Sequence, residues 1–247
     1  MAPGPDLNIA LTTKQFAGTA APLFEDFRLA VLPGTVLAIV GNSGIGKSSL
    51  LRLIAGIDDD FAGSIRIGGV AAAAAPAPGM AFQDARLLPW LTVRENLTAL
   101  IPGLTVSAAQ ARLAQVGLAA ESGVYPFQLS GGMQRRVALA RTLAANPRLL
   151  LLDEPFASLE PALAGEMRGL VQRHVDESGA TVLLVTHAAE DAAAVAHRVL
   201  VLGGRPARIV ADLDFVKSPA TRTSADRAAI SAEIASWLAP DAGENAG

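Results

Sequence analysis

The chain has 247 residues, of which 51% are apolar, and its 20 Lys and Arg against 23 Asp and Glu give a formal net charge of −3. This length supports one large domain or two small ones, and the near-balanced charge argues against a nucleic-acid partner held by a basic face. The absence of cysteine excludes disulfides and cysteine-ligated metal sites, and Pro and Gly break the apolar runs before they reach the roughly 20 residues of a membrane-spanning helix.

The first part of the chain predicts three strands and then a helix. Apolar residues alternate with polar or small ones in residues 7–11 and 27–31, which is typical of half-buried strands. Residues 36–40, VLAIV, are continuously apolar, as expected of a strand buried on both faces. A glycine-rich turn leads into a helix with Gly56 near its C-cap. The alanine run at residues 71–75 predicts a surface connection.

Residues 87–125 predict a small helical insertion. Thr92 and Glu95 form a T-x-x-E capping box, and Ser107 and Gln110 form an S-x-x-Q box, each before an apolar run. Each box therefore predicts the start of a helix.

The rest of the chain alternates helices and strands, which predicts a mostly parallel sheet covered on both faces. The pattern predicts, in order, a helix over residues 133–145, a buried strand over 148–152, a helix over 163–176, a strand over 181–186, and an amphipathic helix with Ile230, Ile234, Trp237 and Leu238 on one face and a cap near Ser224. Residues 240–247 are expected to be disordered.

Residues 41–48, GNSGIGKS, match the pattern G-x-x-x-x-G-K-[ST] between a predicted strand and a predicted helix. The backbone N–H groups of such a loop cradle the β- and γ-phosphates of a nucleotide, while Lys47 neutralises them and the Ser48 hydroxyl binds Mg²⁺. A simple glycine turn is the alternative, which the strand–loop–helix context disfavours. The motif therefore predicts a nucleotide-phosphate site.

Asp153 and Glu154 follow an apolar run, at the end of a strand where open α/β sheets bind ligands. Adjacent carboxylates repel each other unless a cation is near, which favours a hydrated metal ion at Asp153. Neighbouring side chains near a strand end point to opposite sides, so Glu154 is available as a general base toward water. The alternative is an acidic N-cap for the following helix.

Two further polar residues are candidates for the same site. His187 directly follows residues 181–186, where a neutral imidazole can donate a hydrogen bond to a γ-phosphate. Gln83 ends the stretch GMAFQ and can complete a Mg²⁺ shell or orient water. A structural role is the alternative for both, and His174 and His197 are expected at the surface. Residues 58–61, DDDF, predict a solvated loop rather than a metal site.

The stretch LSGG, residues 129–132, places two glycines where a helix begins. Glycine costs up to about 1 kcal/mol per residue in a helix relative to alanine, so the pair requires a reason. Close approach of a phosphate to the backbone N–H groups is the usual one. The loop at residues 41–48 already serves that purpose, so the second glycine-rich segment raises the question of which phosphate it meets.

In their order along the chain these motifs resemble the ATP-binding subunit of ABC transporters, over about residues 7–212. The order is GNSGIGKS, Gln83, LSGGM, LLLLDEP, ASLEP and His187. FQDARLLPWLTVRENL and VLVLGGRPARIV are similar to the branch that serves nitrate, sulfonate, taurine and related importers. The resemblance implies an α/β fold: a phosphate-loop, RecA-like core of parallel strands with an antiparallel β region and a helical subdomain insertion, the ABC ATPase fold.

The resemblance implies one ABC ATPase domain over residues 1–247. Its α/β core consists of residues 1–83 and 146–212. Residues 84–145 form a helical subdomain that includes the signature helix, and residues 213–247 form a C-terminal helix and tail.

Roles follow from the resemblance residue by residue, with ATP and Mg²⁺ as the cofactors. Asp153 binds Mg²⁺ with help from Ser48 and Gln83, Glu154 is the catalytic base, and His187 senses the γ-phosphate. Phe16 is the best-placed aromatic residue to stack on adenine, with packing as the alternative. The phosphate loop binds through Gly41, Asn42, Ser43, Gly44, Ile45, Gly46, Lys47, Ser48 and Ser49.

The implied partners are a second copy of the chain, transmembrane permease subunits and, indirectly, a solute-binding protein; no nucleic acid is expected. In an ATP-sandwich dimer, Ser130, Gly131 and Gly132 reach the γ-phosphate held by the other copy. The segment from Gln83 through Trp90 resembles the region that receives the permease, where Arg86 and Leu88 also lie, although packing explains these residues equally well. The implied location is the cytoplasmic face of the inner membrane, as a peripheral protein.

The other functional classes fit less well. An exporter subunit and a soluble ABC protein acting in translation or DNA repair remain alternatives. The soluble proteins generally carry two cassettes or a long coiled coil, and this chain has one phosphate loop and no heptad run. An unrelated phosphate-loop NTPase does not explain LSGG together with Glu154. One departure from the family is Glu160, where the pattern S-A-L-D has Asp, which puts cooperativity between the two sites in question.

Overall fold

The structure is a computed structural model that describes residues 2–238. Ten strands are present in it: β1 (Leu7–Lys14), β2 (Phe24–Val31), β3 (Val36–Gly41), β4 (Ala62–Ile67), β5 (Val70–Ala71), β6 (Gly79–Ala81), β7 (Leu149–Asp153), β8 (Thr181–Thr186), β9 (Arg198–Gly203) and β10 (Arg208–Asp214). Its seven α-helices are α1 (Lys47–Ile54), α2 (Glu95–Thr98), α3 (Val106–Gln115), α4 (Gly131–Ala144), α5 (Pro161–Ser178), α6 (Ala189–Val195) and α7 (Ser224–Leu238).

A six-stranded sheet in the order β10-β9-β3-β8-β7-β6 forms the centre of the fold. Its strands are parallel except for β10, which runs antiparallel to β9. Every residue of β3, β7 and β8 is buried. Their side chains alternate between two hydrophobic clusters, one on each face: Val36 and Val40 join one, and Leu37 and Ile39 join the other. The predicted sheet covered on both faces is therefore confirmed.

One face of this sheet is covered by α1 and by a second, antiparallel sheet in the order β2-β1-β4-β5. The alternation predicted for β1 and β2 is confirmed, because Leu7, Ile9 and Leu11 pack inward with Phe27 and Leu29. The mixed architecture agrees with the expected α/β fold that carries an antiparallel β region. Residues 71–75 lie at the periphery, as predicted, and include one turn of 3₁₀-helix.

Helices cover the other face, and the insertion after β6 shares their core. Leu97 of α2, Leu113 of α3 and Val137 of α4 are fully buried in the same cluster as the central strands. The predicted box at Thr92 is confirmed, because Thr92 N donates to the Glu95 carboxylate at 2.8 Å and Glu95 N donates to Thr92 Oγ1 at 3.3 Å. No helix within residues 2–238 is both long and apolar enough to cross a bilayer.

The second predicted capping box is wrong. The N-cap of α3 is Thr105, whose hydroxyl accepts from Ala108 N, and Ser107 lies inside the helix. Thr105 has the extended backbone that an N-cap needs, with φ −74° and ψ 158°. Gln110 donates instead to the carbonyl of Ala119, which ties the helix to the segment that follows it.

Two histidines expected at the surface are not exposed there. His174 on α5 is 7% exposed, and burial lowers its pKa. His197 is half-buried, and its Nδ1 accepts a hydrogen bond from Val36 N at 3.1 Å. Both rings therefore serve the packing around the central sheet.

The C-terminal helix α7 is confirmed, although its apolar face is less buried than predicted. Ile234 is fully buried, but Trp237 is 49% exposed. Thr223 caps the helix in a box with Asp226, because Asp226 N donates to the Thr223 hydroxyl. Residues 240–247, expected to be disordered, lie outside the described residues.

Gly63 provides a test of the antiparallel sheet. Its φ is +133°, and a Cβ there would overlap the Ala10 carbonyl oxygen, whereas Gly56 at φ +67° has open space around it. We expect Gly63→Ala to lower the free energy of unfolding by more than about 3 kcal/mol, and Gly56→Ala by about 1 kcal/mol. Chemical denaturation measures both, and equal losses would contradict the close approach at Gly63.

Candidate functional site

The strand order brings the candidate residues to one edge of the central sheet. The carboxyl ends of β9, β3, β8, β7 and β6 lie side by side there, since these strands are parallel neighbours. Open α/β sheets bind ligands at this edge. The loops after these strands, together with the segment between β1 and β2, line a cleft of about 800 Å³. Its lining residues are Phe16, residues 19–23 and 43–49, Gln83, Glu154, His187, Gly204, Arg205 and Ala207.

The loop at residues 41–48 has the backbone of an anion cradle. Gly44 and Gly46 have φ of +78° and +107°, which only glycine adopts readily, and α1 begins directly after them. A Cβ on Gly41 would lie 2.8 Å from the Leu202 carbonyl oxygen, so the loop also requires close contact with β9. These turns aim N–H groups and the start of α1 into the cleft, as a phosphate chain requires.

Lys47 is the basic group at the floor of this loop. It is 7% exposed, and its ammonium donates to the carbonyls of Gly41 at 2.7 Å and Asn42 at 3.0 Å. Burial lowers its pKa, while the carboxylates of Glu154 and Asp153 act in the opposite direction. The cation is therefore held inside the loop, where polyphosphate oxygens would lie.

Ser48 near the start of α1 contacts Asp153, the last residue of β7. Ser48 Oγ donates to Asp153 Oδ1 at 2.8 Å, and burial raises the pKa of Asp153. A hydroxyl, a carboxylate and the nearby amide of Gln83 are hard oxygen donors of the kind Mg²⁺ binds, usually with phosphate and water completing the shell. No group of three or more His, Asp or Glu that could hold a metal occurs within residues 2–238. The arrangement fits Mg²⁺ held jointly with a nucleotide.

Glu154 has a strained backbone and a defined side-chain partner. Its φ is +52°, unusual for a non-glycine residue, and its N–H donates to the carbonyl of Val185 on β8. This turn places Glu154 Oε1 2.8 Å from Nδ1 of His187, whose side chain is 67% exposed to the cleft. The residue predicted as the catalytic base and the residue predicted to sense the γ-phosphate are therefore in direct contact.

Phe16 also lines the cleft and is 43% exposed. The ammonium of Lys14 lies 4.9 Å from the centre of its ring, a cation–π contact. Lys14 is buried and bonds to Asp58 Oδ1 at 2.9 Å and to the Asp60 carbonyl at 2.6 Å. The DDDF segment, predicted as a solvated loop, thus also anchors the lysine beside Phe16.

The LSGG segment lies outside the cleft of its own chain. Ser130 caps α4 by accepting from Met133 N at 3.3 Å, and both Ser130 and Gly131 are exposed. A Cβ on Gly131 would meet nothing within 4 Å, so packing within residues 2–238 does not require glycine there. A Cβ on Gly132 would make only ordinary contact, 3.4 Å from Leu159 Cδ2, so both glycines need an explanation outside this chain's own packing.

Arg135 on α4 connects the segments around this helix. Its Nη1 donates to the Ala157 carbonyl at 2.8 Å and its Nε to the Gln83 carbonyl at 3.2 Å. Glu160 stands at the N-cap position of α5 with an extended backbone, but its side chain makes no capping hydrogen bond. Arg135 thus joins the Gln83 loop and the segment after Glu154 to the start of α4.

The segment after Gln83 presents an exposed aromatic residue. Trp90 is 70% exposed, whereas Leu88 is half-buried with its backbone held by the fully buried Asn96. Arg86 lies over the Phe82 ring at 3.9 Å. Of the three residues singled out there, Trp90 offers the largest free apolar surface.

Sequence reasoning missed three residues at the site. Arg205 lines the cleft from the turn after β9, and Thr186 and Asp191 lie behind Glu154. The position of Thr186 at a strand end was a usable signal. No local sequence pattern marks Arg205 or Asp191, because contacts between segments distant in sequence bring them to the site.

Comparisons with known proteins identify the family of this chain. A family model described as ABC transporter matches residues 24–157. The aliphatic sulfonates import ATP-binding protein SsuB 2 of Agrobacterium fabrum is 41% identical, over 96% of this chain and 93% of that protein. A protein of the same name from Pseudomonas aeruginosa is 44% identical, over 86% of this chain and 77% of its own length.

Solved structures show the same architecture. The dimeric structure of a post-hydrolysis state of the ATP-binding cassette MJ0796, bound to ADP and Pi, superimposes with a TM-score of 0.74 at 26% identity. The aligned region covers 85% of this chain and 98% of the MJ0796 chain. The expected fold is thereby confirmed.

In the nucleotide-free protein, the charged Asp153 should lower the free energy of unfolding, because burial disfavours its charge. Because the pKa of Asp153 is raised in the folded state, this destabilisation disappears as the pH falls through that pKa. At neutral pH, in the absence of nucleotide and Mg²⁺, we expect Asp153→Asn to raise the midpoint of thermal unfolding by about 1–4 °C. The exposed Asp59→Asn is the control, and a lower midpoint for Asp153→Asn would contradict this account.

Proposed function

The chain belongs to the ABC transporter family of ATP-binding proteins, and we propose that it is the ATP-hydrolysing subunit of an importer for aliphatic sulfonates or related small solutes such as nitrate or taurine. The observation that carries the proposal is the 41–44% identity to sulfonate import ATP-binding proteins over most of the chain. The cleft supports it, since it combines a phosphate loop, a site suited to Mg²⁺ and a carboxylate–imidazole pair.

In this proposal residues 41–49 hold the phosphates of ATP, with Lys47 neutralising them and Phe16 stacking on adenine. Ser48, Asp153 and Gln83 hold Mg²⁺, which draws charge from the β- and γ-phosphates when bound. The 2.8 Å contact between Ser48 and Asp153 supports this assignment. Gln83 enters the same cleft from the neighbouring strand end.

Glu154 accepts a proton from the attacking water in the proposed reaction. Its contact with His187 at 2.8 Å holds the carboxylate toward the cleft and leaves the rest of the exposed imidazole to meet the γ-phosphate. The chemistry is positioning and electrostatic stabilisation more than covalent catalysis. Both residues follow rigid, fully buried strands, which suits that role.

We assign the active form to a dimer in which Ser130, Gly131 and Gly132 meet the γ-phosphate bound by the second copy. Their position outside the chain's own cleft supports this arrangement, as does the dimeric form of the MJ0796 cassette. Ser130 already accepts a hydrogen bond from Met133 N, so its hydroxyl proton remains available to an incoming oxygen.

The permease is proposed to bind beside the exposed Trp90, on the helical subdomain of residues 84–145. Closure and opening of the ATPase dimer would then drive the membrane subunits. This arrangement assigns the protein to the cytoplasmic face of the inner membrane, with a solute-binding protein delivering cargo from the other side.

Reconstitution in proteoliposomes with the proposed permease and solute-binding partners tests the cargo. We expect ATP-dependent uptake of a labelled alkanesulfonate, with taurine and nitrate as competitors. Uptake of an unrelated solute alone would refute the assigned cargo. Movement of solute out of the cytoplasmic compartment would instead identify an exporter.

Glu154→Gln tests the proposed base. We expect steady-state ATP hydrolysis to fall at least about 100-fold, because the amide cannot accept the proton from water. ATP should still bind and hold a dimer detectable by size-exclusion chromatography with light scattering. Unchanged hydrolysis by this variant would overturn the assignment, and Glu166→Gln, on the exposed face of α5, is the control.

Ser130→Arg tests binding across the dimer. A long cation at the start of α4 would block the partner's nucleotide, so hydrolysis should fall at least about 100-fold while monomer affinity for ATP stays within about twofold. Fluorescent nucleotide titration at low protein concentration measures that affinity. A parallel loss of monomer affinity would show that LSGG serves the nucleotide of its own chain.

A further inference from the structure

A row of polar side chains lies behind Glu154, away from the cleft. Arg168 on α5 contacts Asp191 on α6, with Nη1 2.7 Å from Oδ1. The other Asp191 oxygen, Oδ2, lies 3.3 Å from the hydroxyl of Thr186, the last residue of β8. The same hydroxyl lies 3.5 Å from Oε2 of Glu154. The row thus runs from α5 through α6 and β8 to the carboxylate that contacts His187.

Thr186 is the branch point of this row. Its hydroxyl accepts from Ala188 N at 3.0 Å, and its single proton faces the carboxylates of both Asp191 and Glu154. Since Thr186 and Ala188 flank His187, this hydroxyl fixes the turn that presents the imidazole. Asp191 N also donates to the Ala188 carbonyl, which closes the turn at the start of α6.

Arg168 supplies the positive charge that compensates the neighbouring carboxylates of Asp191 and Glu154. Thr186 is fully buried and Asp191 is 7% exposed, so two carboxylates lie close together with little water between them. Burial and the charge of Glu154 raise the pKa of Asp191, and the hydrogen bond from Arg168 opposes that shift. An uncompensated pair of carboxylates would move apart or one would become neutral, and either change would displace Glu154 or the Thr186 turn.

We propose that Arg168 and Asp191 form a positioning pair. Through Thr186, this pair holds the side chains of Glu154 and His187 in the relative positions that hydrolysis needs. Neither Arg168 nor Asp191 lines the cleft, so the pair acts on turnover and leaves nucleotide affinity unchanged. The inference rests on the proposed catalytic role of Glu154. It adds two residues from outside the cleft to the machinery that sets the rate.

Asp191→Asn and Arg168→Gln, made in the full-length chain, test the pair. We expect each to lower kcat for ATP hydrolysis by about 5- to 30-fold, because the reacting groups lose their fixed geometry, while the Kd for ATP stays within about twofold. Arg168→Lys keeps the charge and should recover most of the lost rate. The effects of the two single variants should not multiply in the double variant, since either one breaks the same link.

A matched control is the ion pair of Arg198 and Asp212 at the far side of the sheet, which is bidentate and also joins two elements. Asp212→Asn should leave kcat within twofold. The ¹⁵N shifts of the His187 imidazole provide a direct readout, because loss of its fixed contact with Glu154 should change them in Asp191→Asn and not in Asp212→Asn.

Two results would overturn the inference: a kcat within twofold of the parent for both Asp191→Asn and Arg168→Gln, or an equal loss in Asp212→Asn. If Asp191→Asn fails to fold, Arg168→Gln and Arg168→Lys decide, since the Arg168 side chain is partly exposed. The Glu154→Gln variant distinguishes a failure of the proposed catalytic role from a failure of the positioning inference. Full hydrolysis by that variant defeats the proposed catalytic role itself, whereas an inactive Glu154→Gln beside unaffected pair variants defeats only the positioning inference.

Discussion

Burial of the central strands on both faces is the constraint from which the rest of the structure follows. β3, β7 and β8 contribute alternate side chains to two hydrophobic clusters and therefore have almost no position for a polar group along their length. The polar groups of the site lie at their carboxyl ends: Asp153 is the last residue of β7, Lys47 comes six residues after β3, and His187 directly follows β8. Because the strands are parallel neighbours, those ends meet, and the cleft is a by-product of how the core is built.

The parts of the fold and site that the sequence predicts are those set by local patterns. The loop at residues 41–48 carries its own glycines, lysine and serine, and its place between a buried strand and a helix is visible in the printed chain. Asp153 and Glu154 are recognisable because they end an apolar run, and Thr92 with Glu95 because the box spans four residues. Each of these signals lies within about ten residues, the range over which periodicity and capping operate.

The parts that the sequence does not predict depend on contacts between distant segments. Lys14 reaches Asp58 across 44 residues, so a run of three aspartates that looked merely solvated also anchors a buried cation. His174 looked like a surface residue because nothing near it in sequence indicates which side of α5 packs. Thr105 and Ser107 both precede an apolar run, and only the extended backbone at Thr105 decides between them. The role proposed for Asp191 likewise depends on its contact with Arg168, which lies on another helix.

The two hydrogen bonds of Arg135 bear on how such a site tolerates sequence change. The guanidinium binds the main-chain carbonyls of Gln83 and Ala157 rather than their side chains, so its partners exist whatever residue occupies those positions. Substitution at either end leaves the acceptor in place, whereas loss of the arginine removes both bonds at once. The path of these two loops therefore depends on the Arg135 side chain more than on the side chains of Gln83 and Ala157.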